Sequence, residues 1–156
     1  MKAKAVVFEN VRKVRVRSVT LPKPGPADIV VENEISGVSV GTERWALIGK
    51  RAEIQFPNVP GYMGIGRVTV AGAEAAQRGY RVGDRVNYFA SRLAPPLAGK
   101  SWMSSHLSHA VVDVCHGVDW DPTGFNSHRC EIVPAGVDPL DMSLCGLAAV
   151  AQRGIE

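Results

Sequence analysis

The sequence lacks the cysteine patterns and long apolar runs that mark several classes of protein. Its 156 residues include three cysteines, Cys115, Cys130 and Cys145, with no Cys-x-x-Cys pair. This odd, widely spaced set, together with the missing signal-peptide core after Met1, predicts a protein of the reducing cytoplasm. No apolar run approaches the roughly 18 residues that a membrane-spanning helix needs. We therefore expect no membrane partner.

A strong charge of either sign is also missing. Eighteen Lys and Arg residues against fifteen Asp and Glu residues give a formal net charge of +3. The one basic cluster, at 12–17, alternates Arg and Lys with valine, which predicts a strand with a solvated basic face. A nucleic-acid site needs a denser patch, so no nucleic-acid partner is expected. A hydrophobic fraction of 46% and a charged fraction of 21% are ordinary for one globular domain of this length.

What is present is a series of short β-like runs separated by glycine and proline turns. We predict strands at 4–8, 11–19, 29–35, 67–71, 85–89 and 106–114. The first two form a hairpin around Glu9-Asn10, and a tight turn at Gly83-Asp84 precedes the fifth. The loop at 22–26, Pro-Lys-Pro-Gly-Pro, cannot belong to a ladder because proline lacks the N–H donor.

Helix is predicted in two places. One or two turns fit 42–48, and a longer helix begins near the carboxyl end of the sequence. There Asp138 can cap the helix, Pro139 suits its first turn, and Gly154 ends it. Its apolar positions fall on one face: Leu140, Leu144, Leu147 and Val150. Between 115 and 130 the chain reads as a loop. Many short strands with one terminal helix predict a β-barrel-like domain.

Four motifs follow one another in a fixed order. They are the strand at 1–3 with the loop at 22–26; Ser-Gly-Val-Ser-Val-Gly-Thr-Glu at 36–43; Val-Pro-Gly-Tyr-Met-Gly-Ile-Gly-Arg-Val at 59–68 with Arg-Val-Gly-Asp-Arg-Val at 81–86; and Ile-Val-Pro-Ala-Gly-Val-Asp-Pro at 132–139, which leads into 144–149. Together they resemble the catalytic, GroES-like domain of the medium-chain dehydrogenase/reductase superfamily. The motif at 36–43 is similar to that of the branch containing bacteriochlorophyllide dehydrogenase.

This resemblance implies a mainly β fold over 1–156: a GroES-like, partly open β-barrel with short helices and a C-terminal helix. In the family that helix leads into a Rossmann domain, which binds NAD(P)H. No Rossmann domain is expected in this chain, which ends where the family would begin one. We expect a natural short chain rather than a fragment, with a separate nucleotide-binding subunit or a homodimer as its assembly.

The ligands of the family's catalytic zinc are replaced here. Ser39, Tyr62 and Met63 stand where zinc-binding members carry cysteine, histidine and glutamate. A hydroxyl, a phenol and a thioether are poor zinc ligands at neutral pH, so no zinc is expected. A second donor set consists of His106, His109, Cys115, His116, His128 and Cys130. We favour scattered loop and strand residues over a metal site, because side chains three apart on a strand point to opposite faces.

Candidate site residues surround the lost zinc position. We take Tyr62, His106, Ser39 and Glu43 as catalytic candidates and Thr42, Arg44, Trp45 and Trp102 as substrate-binding candidates. Histidine suits proton transfer near neutral pH, and a phenol can donate a hydrogen bond to a carbonyl or enolate oxygen. Each also has a structural interpretation. Tyr62 can line the barrel, His106 can be a satisfied strand histidine, and Glu43 can be a helix-start carboxylate.

Three functions stay open at this point. The first is the substrate-binding or catalytic component of a zinc-independent NAD(P)H-dependent oxidoreductase that acts on a small biosynthetic molecule. The second is a cofactor-independent isomerase, dehydratase or cyclase that reuses the pocket. The third is a non-enzymatic partner subunit.

The glycines at 61, 64 and 66 generate a first prediction. They follow a proline and open a strand, so they offer no helix N-terminus to a pyrophosphate. We expect that titrating NADPH into the isolated chain leaves the dinucleotide's fluorescence unchanged. Saturable, tight binding would contradict the absence of a dinucleotide site in this chain.

Overall fold

Two antiparallel sheets curl into a half-barrel, which confirms the predicted mainly β, GroES-like fold. This computed structural model describes residues 1–100, 103–116 and 130–153, with only the backbone at Val150 and Arg153. The elements of the described ranges, in chain order, are β1 Lys2–Asn10, β2 Lys13–Thr20, β3 Asp28–Ser36, α1 Val40–Leu47, β4 Gly64–Ala71, α2 Ala73–Gln77, β5 Arg85–Tyr88, β6 His109–Asp113, β7 Cys130–Ile132, α3 Pro139–Ser143 and α4 Cys145–Arg153.

β1 and β2 form a hairpin, with Val6 opposite Val16. The other five strands form one sheet in the order β6-β3-β4-β5-β7, all antiparallel. An isolated bridge between Ala5 and Leu107 joins the hairpin to the segment before β6. There the Val6 N–H donates to the His106 carbonyl at 3.0 Å, so β1 lies directly beside a candidate catalytic residue.

β3 contributes its first half to the core. Its start, Asp28–Val31, is buried on both faces, since four consecutive side chains are buried, and β6 and β4 pair with its two edges. β-branched residues suit such a doubly covered position, and Ile29 and Val31 have no exposed surface. A smaller second cluster, which we call the outer core, consists of Phe8, Ala46, Ile54 and Met103. α1 contributes Ala46 to it, and this packing fixes the helix that carries Glu43.

The structure corrects several boundaries. Pairing continues to Asn10 and Lys13, so the hairpin turns at Val11-Arg12, where Arg12 has a φ of 58°, and not at Glu9-Asn10. The predicted strand 106–114 is shorter, because His106 lies outside β6. Two short elements, α2 and β7, were not predicted from the sequence.

The predicted terminal helix is two helices. Asp138 caps α3 as expected, since its Oδ1 accepts the Leu140 N–H at 2.8 Å. The helix breaks at Leu144, whose N–H bonds the Asp141 carbonyl three residues back, and Gly146 follows closely. Leu140 and Leu144 are 62% and 50% exposed, so part of the apolar face has no cover in the described chain. No helix of the described ranges is both long and apolar enough to cross a membrane.

Gly64 provides a test of the packing. A Cβ at this position would lie 2.4 Å from the ring of Tyr88, a fully buried side chain of β5. We expect Gly64→Ala to lower the free energy of unfolding by about 1–3 kcal/mol through overpacking. The matched control is Gly41→Ala in α1, where a Cβ meets nothing within 4 Å and alanine favours the helix. Equal losses in guanidinium unfolding of the two variants would contradict this packing.

Candidate functional site

An open cavity of about 580 Å³ lies against β1, and its wall includes two of the catalytic candidates, Glu43 and His106. Its volume falls in the range of small-molecule sites. The apolar part of the lining comes from Ala5, Val6, Phe8, Val16, Val38 and Leu107. The polar part comes from Lys4, Ser36, Glu43, His106 and Ser108. A ligand of this cavity would therefore be mostly apolar and would meet a small group of polar side chains.

The motif at 36–43 places Glu43 in this wall. β3 ends at Ser36, and the Gly37 N–H donates to the Met63 carbonyl at 2.8 Å, which turns the chain away from the sheet. Ser39 is the N-cap of α1, and Glu43 follows one turn later. The Oε2 atom of Glu43 accepts the Ser39 N–H at 2.6 Å, an arrangement close to a capping box. The helix-start interpretation of Glu43 is therefore part of its role.

His106 is held by its own backbone and by Gly61. Its N–H donates to the Pro60 carbonyl at 3.1 Å, and its carbonyl accepts from Val6. Gly61 has a φ of 92°, and a Cβ there would lie 2.6 Å from the Nδ1 atom of His106. Any side chain at position 61 would displace the imidazole. This glycine thus leaves room for the imidazole.

The side chains of Ser36, His106 and Glu43 form a chain of contacts. The Nε2 atom of His106 lies 2.5 Å from Oε1 of Glu43, and the two side chains are 11% and 6% exposed. The pair is at ion-pair distance, but its atoms are not aligned as in a regular hydrogen bond. On the other side of the ring, Nδ1 is hydrogen-bonded to Oγ of Ser36.

The contacts favour one tautomer of the neutral His106 ring. A bare ring nitrogen and a carboxylate oxygen would repel each other at 2.5 Å, so we assign a proton to Nε2. In the neutral ring Nδ1 is then an acceptor, and the Ser36 hydroxyl donates to it. A second acceptor, the Ser105 carbonyl, lies 3.3 Å from Ser36 Oγ. Glu43 thus orients the ring, and the ring presents a base to Ser36.

The other two catalytic candidates, Ser39 and Tyr62, do not line the cavity. Ser39 is buried and joins the site through its backbone N–H. Tyr62 packs on Phe89, with ring centroids 5.5 Å apart, and against the outer core. It is not part of the cavity lining, so a catalytic role for Tyr62 stays a prediction.

The predicted substrate-binding residues also lie outside the lining of this cavity. Thr42 is half-buried and Arg44 exposed. Trp45 is 52% exposed, with the Lys50 ammonium 5.9 Å from its ring centroid. Trp102 falls outside the described residues. Their roles stay predictions that this geometry does not bring together.

The sequence analysis did not identify Ser36 as a site residue. It opens the motif at 36–43, but a serine at a strand end has many ordinary uses, and nothing local marks it as a partner of His106. The two residues are 70 positions apart. Only an expectation that residue 106 packs on the end of β3 would have identified it.

The residues at the family's zinc position do not fit zinc. Met63 is buried, and a serine hydroxyl, a phenol and a thioether do not form a zinc donor set. No three His, Cys, Asp or Glu residues in the described ranges lie close enough together to hold a metal ion. His128 lies outside these ranges. Burial raises the pKa of the Cys130 thiol to about 12, which keeps it protonated and inert.

Two other members of the second donor set have carboxylate partners of their own. His106 belongs to the cavity wall, and the ring of His116 pairs with Asp113 at 3.0 Å on the surface. Burial opposes ionisation of Asp113, but hydrogen bonds from the backbone N–H groups of His116 and Cys115 hold its pKa below the usual value. The glycine motif does not fit a dinucleotide either, since Gly64 and Gly66 lie within β4.

The buried Glu43–His106 contact can be tested by its contribution to stability. Glu43→Ala leaves His106 Nε2 and the Ser39 N–H without their partner. We expect a loss of about 3 kcal/mol, or a fall in Tm of roughly 6–12 °C. The control is Glu34→Ala, which removes a half-exposed carboxylate from Arg67 and Arg85 and should cost less than about 1 kcal/mol. Similar losses in thermal unfolding would argue against a special Glu43 contact.

Comparison with known proteins was made for sequence and for structure. No protein-family model matches the chain. The chain is 37% identical over 107 residues to 2-desacetyl-2-hydroxyethyl bacteriochlorophyllide A dehydrogenase of Cereibacter sphaeroides, and the match covers 64% of this chain and 33% of that enzyme. It is 30% identical over 115 residues to alcohol dehydrogenase 2 of Emericella nidulans, which covers 67% and 26% of the two chains.

Among solved structures, a zinc-binding dehydrogenase of Sinorhizobium meliloti bound to NADP superposes with a TM-score of 0.66. It is 24% identical, and the superposition covers 93% of this chain and 42% of that one. The match therefore supports the fold. The chain spans about a quarter to a third of the length of the curated relatives it matches. Together, the motifs, the half-barrel and these relatives show that the chain belongs to the medium-chain dehydrogenase/reductase superfamily, of which it carries the GroES-like domain.

Proposed function

We propose that this chain is the substrate-binding and acid–base component of a zinc-independent, NAD(P)H-dependent oxidoreductase that acts on a small biosynthetic molecule. The observation that carries the proposal is the Ser36–His106–Glu43 chain of contacts in the wall of an apolar cavity. The relatives support the oxidoreductase class, since those matched in sequence are dehydrogenases.

The side chains in the cavity wall can exchange a proton with a bound substrate. The Ser36 hydroxyl can turn from His106 Nδ1 to a substrate oxygen and donate its proton, while Nδ1 supplies the replacement proton from an imidazolium ring. Glu43 stabilises that imidazolium through the contact at Nε2. Such positioned acid–base groups contribute about 10²–10⁴-fold to rates. This proton path uses no metal, which fits the unsuitable donor set at the former zinc position.

The dinucleotide belongs to a different part of the assembly in this proposal. Residues 61–66 form no pyrophosphate cradle, so NAD(P)H would be held by a nucleotide-binding half on another chain or on a longer polypeptide. The exposed apolar residues Leu140 and Leu144 give such a half, or a second copy of this chain, a surface to cover.

A second candidate function is supported by the same geometry. The proton path is complete within this chain, so an isomerase, dehydratase or cyclase that needs no cofactor could use it. The two functions separate in one measurement, because only the oxidoreductase consumes NADPH.

Complementation tests the proposal. The chain is mixed with the nucleotide-binding half of the Cereibacter sphaeroides relative, and NADPH oxidation is followed with a panel of small ketones and aldehydes. The relative's own two halves serve as the positive control. We expect oxidation only when both halves are present, and an unchanged rate after dialysis against a chelator.

Two histidine variants complete the experiment. His106→Gln should lower the rate by about 10²-fold or more, whereas His109→Gln, a change on β6, should leave it nearly unchanged. Oxidation of NADPH by the isolated chain would contradict the proposal that the dinucleotide is bound by a separate half. Failure of complementation while the positive control succeeds would contradict the oxidoreductase assignment, and a fully active His106→Gln variant would remove His106 from the mechanism.

A further inference from the structure

We propose that Ser36 is a nucleophile, which small apolar esters acylate without a dinucleotide or a metal. This activity goes beyond the proposed oxidoreductase function and does not depend on it. The structure supports it with three features: a serine activated by a base, a third group that orients the base, and an apolar cavity beside the serine.

Ser36 and His106 are the nucleophile and the base. The Oγ atom of Ser36 lies at the end of β3 in the cavity lining and is hydrogen-bonded to Nδ1 of His106. Because the proton of the neutral ring is assigned to Nε2, the lone pair of Nδ1 is free to take the serine proton. A hydroxyl within reach of an imidazole base is the general arrangement of an activated serine.

Glu43 is the orienting group. Its Oε1 lies 2.5 Å from Nε2 of His106, and its Oε2 is fixed by the Ser39 N–H at 2.6 Å. The carboxylate is buried at the start of α1, so it can stabilise the imidazolium that forms when His106 takes a proton. The roles match those of a serine–histidine–acid triad, although the two ring nitrogens exchange places relative to the common arrangement.

A comparison with Ser108 shows what is particular to Ser36. Ser108 also lines the cavity, and its Oγ lies 3.1 Å from Nδ1 of His109. However, His109 forms no ion pair with a carboxylate within the described ranges. The Ser108 oxygen also accepts the Lys4 N–H at 3.0 Å. A serine beside a histidine therefore occurs twice in this cavity, but the third group accompanies only Ser36.

The cavity determines the class of ester. Val6, Phe8 and Leu107 form apolar walls, so a short, uncharged alkyl acyl group suits the site better than an anionic one. Lys4 and Ser108 are the polar side chains of the lining outside the triad. In the cavity lining, these two groups are the side chains outside the triad that could stabilise the oxyanion of the tetrahedral intermediate. We therefore expect the reaction to require an ester with a good leaving group.

The reaction balances as an ordinary acyl transfer. Ser36 Oγ forms a bond to the ester carbonyl carbon while its proton moves to His106 Nδ1. The carbon–oxygen bond to the leaving group then breaks, and para-nitrophenolate departs as the anion while the imidazolium loses its proton to solvent. Water later attacks the acyl carbon, gives a proton to Nδ1, and Ser36 recovers its proton as the carboxylic acid leaves. The serine ester is less activated than the reagent, so acylation outpaces hydrolysis.

The experiment mixes the full chain with para-nitrophenyl butyrate in the absence of NADPH and metal. We expect a burst of about one para-nitrophenolate per chain, a mass increase of one butyryl group, and a butyrylated Ser36 in peptide mapping. Ser36→Ala and His106→Gln should each lower the burst rate by about 10²-fold or more, and Glu43→Gln by a smaller factor. Ser18→Ala, a change on the exposed face of β2 outside the cavity lining, should react like the unchanged chain.

Each alternative result overturns the proposal. No burst, acylation of a lysine or cysteine in place of Ser36, or equal rates in the Ser36→Ala and unchanged chains would each do so. The thermal unfolding of Ser36→Ala must match that of the unchanged chain, and His106→Gln provides the independent comparison if it does not. The burst needs no second half, so its failure is distinguishable from a failure of complementation.

Discussion

The contact between Glu43 and His106 holds together three separate parts of this protein: the start of α1, the segment before β6 and, through Ser36, the end of β3. Burying two ionisable side chains is unfavourable unless each has a partner, so this contact strongly constrains where the three segments lie. The Ser39 N–H fixes the carboxylate from one side, and Gly61 leaves room for the imidazole on the other. Three of the five polar residues of the cavity wall, Ser36, Glu43 and His106, are placed by this single arrangement.

The same arrangement gives this member of a dehydrogenase superfamily a group of contacting polar side chains that includes none of the residues at the family's zinc position. Ser39, Tyr62 and Met63 no longer form a metal donor set, and each is used in packing or hydrogen bonding. Met63, for example, is buried, and its backbone N–H bonds Ser105 Oγ at 3.1 Å. The fold is maintained by the apolar core around β3. In the proposed function, the chemistry of the pocket rests on proton transfer between side chains.

The sequence predicted the fold from patterns that act over short distances. Alternating β-branched residues, proline and glycine turns and the four motifs in order led to the half-barrel, and Asp138 caps its helix as expected. The two errors in this prediction also concern local structure. The hairpin turned two residues later because pairing continued through Asn10, and the terminal helix broke at Leu144 because a tighter turn formed just before Gly146. Nothing in the amino-acid composition indicates the later hairpin turn or the break in the helix.

For the site, the sequence by itself selected His106, Glu43 and Ser39 and predicted a zinc position without its usual ligands, because residue chemistry is readable at each position. Only the tertiary structure decided which of these residues meet. In the folded chain His106 contacts both Glu43 and Ser36, and Gly61 leaves room for the imidazole. Tyr62 and Trp45 lie outside the cavity lining. The physical reason is distance along the chain: Ser36, Glu43 and His106 lie on segments whose contact depends on the packing of the whole barrel, whereas a sequence pattern reports only interactions between near neighbours.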